Sequence, residues 1–495
     1  MATKVSTEIL IMILNNVQST QDLHSSLLVN RYWCKVTIPI LWKLPLGQEY
    51  CTNDKKLRKK ALCIRTYLSC MNTSSRTLLT QFGLDLSSSP PQATFNYPSF
   101  TRKFIINNLV NFISLYSQQI IIGYNCTSNY KKSTRSKKIF REICKLIMNR
   151  CSFLDYFELA SVPEKFSINY SDSINSIFKL PGAPKVFKKL ESFIFEYYEG
   201  SFNELCEPLK LICDNILNMD LKLSSQDQVQ PLARFINVQK RLENLSIVTN
   251  YLDCHLLLWG IISQKETLKS LRLESVGLNW KSSIGQFISL QELYIRNCGL
   301  HKSESLSFAS SFTQLSSFHY FHSSNPYKYS QEFVIKVLET ANTNLKNICL
   351  DLHPTITFDT FSAILNYCTK ITKLTLYGLS PEQAITIFNN DFNELRRFSF
   401  DCRGEEFDAN NLLCRMAKNV SESLENIEIR MGIFSADSLR KFFEGWCCKG
   451  RGGNKKFIVK RTELARLFIL SNEHFKVIEE YGVQFDMERM SIENM

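Results

Sequence analysis

Leu290-Gln-Glu-Leu293-Tyr-Ile295-Arg-Asn-Cys298-Gly-Leu300 decides how this chain is read. Side chains alternate along a strand, so Leu293 and Ile295 point to one face while Glu292, Tyr294 and Arg296 point to the other. Cys298 stands where the chain turns out of the strand with its backbone groups satisfied. Leu300 then begins a returning segment, which is free to form a helix on the far side.

The same element, apolar at its first, fourth and sixth positions, recurs along the chain. It appears as Leu154/Phe157/Leu159, Leu190/Phe193/Phe195, Leu242/Leu245/Ile247, Leu268/Leu271/Leu273 and Leu315/Phe318/Tyr320. Further copies are Leu345/Ile348/Leu350, Ile371/Leu374/Leu376, Leu395/Phe398/Phe400 and Leu424/Ile427/Ile429, with a degenerate copy ending Leu221-Lys-Leu223. From Leu242 onward successive starts are 26, 22, 25, 30, 26, 24 and 29 residues apart. Those intervals match, within a residue, the period of roughly 20–29 of a leucine-rich repeat. Helical stretches fill the gaps. Ser380-Pro381-Glu382-Gln383 is a capping box with Pro at the first helical position. Gln331 to Ala341 carries Val334, Val337 and Leu338, and Ser435 to Trp446 carries Leu439, Phe442, Phe443 and Trp446. A strand and a helix, repeated, predict an α/β fold: a curved solenoid over 151–462, with parallel strands on the concave face and helices outside. The leucines are core. Specificity can reside only in the polar residues between them, such as Glu292, Tyr294, Arg296, Glu425, Glu428 and Arg430, and a patch across neighbouring repeats is what would be informative.

Residues 1–46 read as a small helical unit. Ser6 can cap a first helix carrying Ile9, Leu10, Ile13 and Leu14, with Val5 and Leu10 placed as a hydrophobic staple. Ser19 or Thr20 can cap a second, carrying Leu23, Leu27 and Leu28, then Val29. Trp33, Val36, Ile40 and Leu41 continue the apolar face, and Pro39 is expected to break or bend it. Residues 47–150 read as a helical region leading into the solenoid, with a basic amphipathic segment at 54–71, a loop at 87–103, a helix at 104–122 and an exposed basic loop from Asn125 to Lys138. Residues 463–495 are expected to form a helical cap, with Leu464, Leu467, Phe468, Phe475, Ile478 and Tyr481 covering the open end of the solenoid.

The chain has 495 residues, is 44% apolar and 21% charged, and carries a formal net charge of +12, so it can bury a core and is not mainly disordered. Its 17 cysteines are scattered, without Cys-x-x-Cys spacing, which argues for thiols used as small apolar residues in the cytosol or nucleus. No run of 18 apolar residues is present, so no membrane span is expected. Phosphate-binding glycine loops, a nucleophile elbow and metal-ligand spacings are missing from the sequence, and neither a catalytic site nor a cofactor is expected. His319 and His322, three apart on a strand, face opposite sides and cannot share a metal. Cys447 and Cys448, ahead of the basic stretch Lys449-Gly-Arg-Gly-Gly-Asn454, read more simply as the approach to a loop than as a reactive thiol.

The N-terminus resembles the F-box. Val5-Ser-Thr-Glu-Ile-Leu-Ile-Met-Ile-Leu14 is similar to that family's opening helix, and Leu27-Leu-Val-Asn-Arg-Tyr-Trp-Cys34 with Ile38-Pro-Ile-Leu-Trp42 is similar to its close. The family usually opens with Leu-Pro, where this chain has Val5-Ser6. The whole layout resembles fungal F-box proteins with C-terminal leucine-rich repeats, especially the expanded sets of mycorrhizal fungi. Such proteins are substrate receptors of SCF-type ubiquitin ligases. The resemblance implies a non-catalytic subunit whose F-box docks on a Skp-type adaptor, and through it on a cullin scaffold, while the repeats hold a protein substrate. It implies that Val5, Ile9, Leu10, Ile13, Leu14, Leu23, Leu28, Val29 and Trp33 lie in or behind the adaptor-binding surface. Two rival readings stand beside it. One is a repeat scaffold whose N-terminal helices only cap the solenoid. The other, weaker, is a nucleic-acid binder using the basic clusters at 55–60 and 131–145.

Overall fold

Each apolar element becomes a strand that starts two residues after its first apolar side chain. The computed structural model describes the chain apart from residues 1–4, 18, 46, 48–53, 85, 87–92, 121–128, 161–169, 197–201, 279–286, 301, 323–329, 353–354, 391, 403–407, 419, 422, 432–433, 448–454, 462–469 and 489–495. It divides into two compact units, Met1–Ser246 with Trp259–Gln264, and Ile247–Leu258 with Lys265–Met495.

Unit one begins with three short helices, α1 (Thr7–Asn15), α2 (Thr20–Leu27) and α3 (Arg31–Leu41). Further helices at Asp54–Ser69, Thr73–Gln81, Ile106–Ile120 and Asn129–Arg150 follow. Its strands β1 (Lys103–Ile105), β2 (Tyr156–Ala160), β3 (Ser192–Glu196) and β4 (Asn218–Lys222) pair in parallel in that order. Strand β5 (Asn244–Val248) straddles the division.

Unit two holds β6 (Ser270–Glu274), β7 (Gly277–Leu278), β8 (Glu292–Arg296), β9 (Gly299–Leu300), β10 (Ser317–His322), β11 (Asn347–Leu352) and β12 (Lys373–Leu379). It continues with β13 (Arg397–Cys402), β14 (Asn426–Met431), β15 (Lys456–Arg461) and β16 (Gln484–Glu488). The long strands pair in parallel in the order β6-β8-β10-β11-β12-β13-β14-β15-β16, and β7 pairs with β9 alone. Register aligns the fourth position of every element. Leu271, Leu293, Phe318, Ile348, Leu374, Phe398, Ile427 and Phe457 form one row, all essentially fully buried. Each such side chain gains about 1.5–3 kcal/mol by leaving water.

The helices cover this buried face. Phe333, on the helix Ser330–Ala341, lies 6.5 Å from Phe318 and 5.9 Å from Tyr320, ring centre to ring centre. Phe388, on Pro381–Asn389, lies 5.3 Å from Phe398, and Phe442, on Ala436–Trp446, lies 5.3 Å from Phe457. The capping box forms as read: the Ser380 hydroxyl accepts from the Gln383 amide at 3.1 Å, and the Gln383 side chain accepts from the Ser380 amide at 2.9 Å. Strand after helix in one repeating register is a leucine-rich-repeat architecture of the α/β class.

Several expectations need correction. Strand β1 straddles the end of the stretch read as a loop, 87–103, and the start of the helix expected over 104–122. Three residues are too short to show a period, and it is recognisable only by its pairing with β2. The stretch from Asn129 to Lys138, read as part of a loop, opens the helix Asn129–Arg150, whose Ile139, Phe140, Ile143 and Ile147 face is buried. The degenerate copy has a different register. Ile216, Met219 and Leu221 take the three positions, with Met219 filling the place of a leucine. The tail is not purely helical: after the helix Asn472–Tyr481 comes β16, parallel to β15. Residues 462–469, with Leu464, Leu467 and Phe468, lie outside the described residues. Tyr481 packs 5.9 Å from Phe443, so the tail adds one more helix and strand to the stack.

Strand β12 carries an irregularity between Tyr377 and Leu379, where Gly378 adopts φ +81°, a left-handed conformation that favours glycine. The buried Asp401 carboxylate accepts from the Gly378 amide at 2.6 Å and pairs with Arg430 at 3.1 Å. Removing it strands a buried amide and a half-buried guanidinium. We expect Asp401→Ala to cost about 3–5 kcal/mol, read as a fall in the urea midpoint at unchanged slope; a midpoint within error of the unsubstituted protein would refute the role given to this carboxylate.

Candidate binding surfaces

The N-terminal helices are short and individually capped. Ser6 Oγ accepts from the Ile9 amide at 3.4 Å, Ser19 Oγ from Asp22 at 3.3 Å, and Asn30 Oδ1 from Trp33 at 2.9 Å. The Asn30 cap ends the reading of α2 and α3 as one apolar run. Pro39 sits in the last turn of α3, and the helix continues to Leu41. Leu10, Leu14 and Leu23 form a small core, with Val17, Trp33, Val36, Ile40 and Leu41 packed against it. Tyr32 Oη lies 3.0 Å from Thr7 Oγ1 and donates to the Val5 carbonyl at 3.2 Å, which ties the start of α1 to α3. Behind α3, Trp42 packs on Tyr97 and Tyr67, with ring centres 4.4 and 5.7 Å away.

The front is bare. Ile9 is 53% exposed, Met12 66% and Ile13 51% along one stripe of α1, while Leu28 is 87% and Val29 57% exposed in the turn between α2 and α3. Val5 is exposed as well. Half of the large apolar residues exposed among those described fall between Val5 and Tyr32. The nine residues singled out from the sequence therefore divide. Val5, Ile9, Ile13, Leu28 and Val29 are at the surface; Leu10, Leu14 and Leu23 are core; Trp33 is half-buried against that core. Met12 was not singled out, although its place between Ile9 and Ile13 on the stripe was visible.

The open face of the unit-two strands forms three register rows. Glu292 is exposed in the first, which runs through Ser317 and Asn347 to Lys373, Arg397, Asn426 and Lys456. Tyr294 and Glu428 lie in the middle row, with His319, Cys349, Thr375 and Ser399 between them. Arg296 and Arg430 lie in the third. Arg296 reaches Glu274 at 3.6 Å, and Arg430 sits over the Tyr377 ring at 5.6 Å while pairing with Asp401. An aromatic group gathers at one end: Tyr294 lies 5.2 Å from Phe321 and 6.0 Å from His319, with the Arg272 guanidinium 4.3 Å above its ring. At the other end a depression of about 580 Å³ is lined by Lys373, Thr375, Arg397, Ser399, Asn426 and Glu428, among others. Five of the six polar residues named from the sequence thus share one face without forming a single cluster, and the sixth, Glu425, stands just before β14, where it pairs with Arg396 at 3.7 Å.

A solved structure with a similar chain is the crystal structure of the Rad7 and Elc1 complex in yeast, at 13% identity and a TM-score of 0.40, covering 95% of this chain and 92% of that one. No model of a known protein family matches the sequence, and no curated protein does.

Among the described residues no group of three or more His, Cys, Asp and Glu side chains could hold a metal ion, and no helix is long and apolar enough to cross a membrane. Burial pushes the thiols of Cys254, Cys298 and Cys349 up to about 12, so they stay protonated and unreactive at neutral pH. Cys447 is buried, and Cys448 with the following basic loop lies outside the described residues. Part of the 131–145 basic cluster is engaged within the protein: Arg135 donates to the Phe82 carbonyl, Lys138 lies 5.0 Å over the Phe82 ring, and Lys145 pairs with Glu142 at 2.6 Å.

Burial, with Lys373 adding to it, holds His319 below the usual histidine range, against a smaller opposing pull from Glu292. A histidine neutral in the fold takes up its proton on unfolding. The unfolded chain then binds more protons as the pH falls through the ordinary histidine range, so the contribution is present above about 6.5 and declines below it. Melting temperature should fall between pH 7.5 and 5.5, and His319→Gln should flatten that fall; identical profiles for the two proteins would contradict it.

Proposed function

We propose that the chain is the substrate-recognition subunit of an SCF-type ubiquitin ligase, non-catalytic, with α1 to α3 docking on a Skp-type adaptor and the repeats holding the substrate. The observation that carries the reading is the bare apolar stripe of Ile9, Met12 and Ile13 beside Leu28 and Val29. A helical unit whose own core is only Leu10, Leu14 and Leu23 leaves this surface in water, where a partner covering it gains roughly 25 cal/mol per Å² of apolar area. The F-box-like sequence of the same residues supports an adaptor as that partner. The scaffold reading, in which the helices only cap the repeats, accounts for the back of α3 but gives the front stripe no role.

The test separates surface from core. Ile9→Asp with Ile13→Asp touches only exposed positions, so helicity should be kept while binding to a purified Skp-type adaptor weakens by about 30-fold or more, as expected for interface anchors worth about 2 kcal/mol. Leu28→Asp should act in the same direction. Leu10→Ala should instead lower stability, by about 2–5 kcal/mol. Adaptor binding undiminished in the surface variants, or absent in the unsubstituted protein, would sink the proposal.

A further inference from the structure

Most formal charges on the open strand face of unit two are answered within the sheet. Glu274 takes Arg296 and Arg272, Asp401 takes Arg430, and Lys456 reaches Asp486 at 3.6 Å. Lys373 and Arg397 are different. They are direct register partners on β12 and β13, both exposed, and among the described residues neither has a carboxylate within ion-pair distance. Like charges placed opposite each other across a strand pair oppose pairing, and nothing in the fold requires them there. Lys373 also acts on the interior of the face, lowering the pKa of both His319 and Cys349 against the rise that burial gives the thiol.

The two cations line a depression together with neutral hydrogen-bonding residues, Thr375, Ser399 and Asn426. Glu428 and Lys456 line the same depression, Lys456 being the one answered by Asp486. On the other side, across β11, stand Tyr294, His319 and Phe321, half-buried on β8 and β10. Neighbouring strands are ~4.8 Å apart and successive residues ~3.3 Å, so Lys373, in register with Ser317 through Asn347, stands about 16 Å from Phe321 four residues further along β10, the span of about five residues of extended peptide.

We propose that this face binds an extended acidic segment of a partner protein, whose carboxylates meet Lys373 and Arg397 while an aromatic side chain about five residues away packs on Tyr294 and Phe321. The segment runs obliquely over the strands, and the carboxylates are completed by hydrogen bonds from Thr375, Ser399 and Asn426. The inference deepens the proposed function by naming a substrate class, and rests on that reading only in calling the bound segment a substrate.

The experiment uses the full chain and fluorescently labelled peptides, followed by anisotropy. The reference peptide is Gly-Ser-Phe-Ser-Gly-Ser-Gly-Asp-Asp-Gly-Ser; in one control Lys-Lys replaces Asp-Asp, and in another Ala replaces Phe. The acidic peptide should bind at least tenfold tighter than its lysine counterpart and should weaken as salt is raised from 50 to 300 mM. Lys373→Gln with Arg397→Gln should lose at least tenfold of that affinity. Tyr294→Ala with Phe321→Ala should weaken the Phe peptide and leave the Ala peptide unchanged. Circular dichroism of all variants checks the fold, and the Ile9→Asp, Ile13→Asp protein should bind the peptide normally. Equal affinity for acidic and basic peptides, no detectable binding of the acidic one, or indifference to the Lys373/Arg397 substitutions overturns the proposal. Loss of adaptor binding without loss of peptide binding bears on the proposed function alone.

Discussion

One backbone carbonyl per repeat sets the register on which the rest depends. The carbonyl of the residue after the first apolar position accepts two successive amides from the next repeat. Lys269 accepts from Gln291 and Glu292 at 2.8 and 3.0 Å, Gln291 from Ser316 and Ser317, Ser316 from Lys346 and Asn347, and Lys346 from Thr372 and Lys373. Thr372 and Arg396 continue the series, and Asp155 and Glu191 do the same within unit one. A carbonyl oxygen has two lone pairs, so both bonds can be made, and the pair of them fixes where each new strand begins. A slip of one residue would turn every leucine of a strand onto the open face. Because register cannot drift, residues at one motif position fall into straight rows, and the two unanswered cations become neighbours.

The same device joins the N-terminal helices to the strands of unit one. Lys43, two residues past the end of α3, accepts from the Arg102 and Lys103 amides at 3.0 and 3.1 Å, just as a repeat carbonyl does. With Trp42 packed on Tyr67 and Tyr97, the back of α3 is spent on its own chain. Among the described residues the front of α1 receives no such cover. A unit that existed only to cap a stack would need its back and would gain nothing from Ile9, Ile13 and Leu28 in water.

The repeats were legible because every motif position is buried for the same reason in every copy, so spacing alone carries the information. Capping was legible where a side chain makes the bond, as at Ser6, Ser19 and Ser380. What escaped was decided by neighbours far along the chain. Strand β1 exists because β2 pairs with it, and the separate start of α3 was hidden by the apolar run Leu27-Leu28-Val29, which reads as a continuing helix. Strand β16 shows the alternation of Phe485 and Met487, but the helical period before it dominated the reading. Which of Ile9 and Leu10 faces inward could not be read, since two adjacent apolar residues fit a helix wall and a helix surface equally well.

Lys373 and Arg397 show why the candidate binding face was harder still. Each alone is an ordinary solvated strand residue, and neither breaks the pattern. Their meaning arises only when the repeats are aligned by motif position, where the residue before the fourth-position apolar side chain reads Ser270, Glu292, Ser317, Asn347, Lys373, Arg397, Asn426 and Lys456. The core positions of that alignment must be alike for the stack to form, so they cannot encode a partner. The positions between them are free, and Lys373 and Arg397 stand there as register partners in spite of their repulsion. The two surfaces therefore rest on different physics. As proposed, the α1 stripe would act by apolar burial, which salt does not screen, whereas the strand face would act through exposed charge, which a Debye length of about 8 Å at physiological ionic strength screens readily. Raising the salt should separate the two proposed binding events in one protein, because only the second would draw its strength from charges that stand in water.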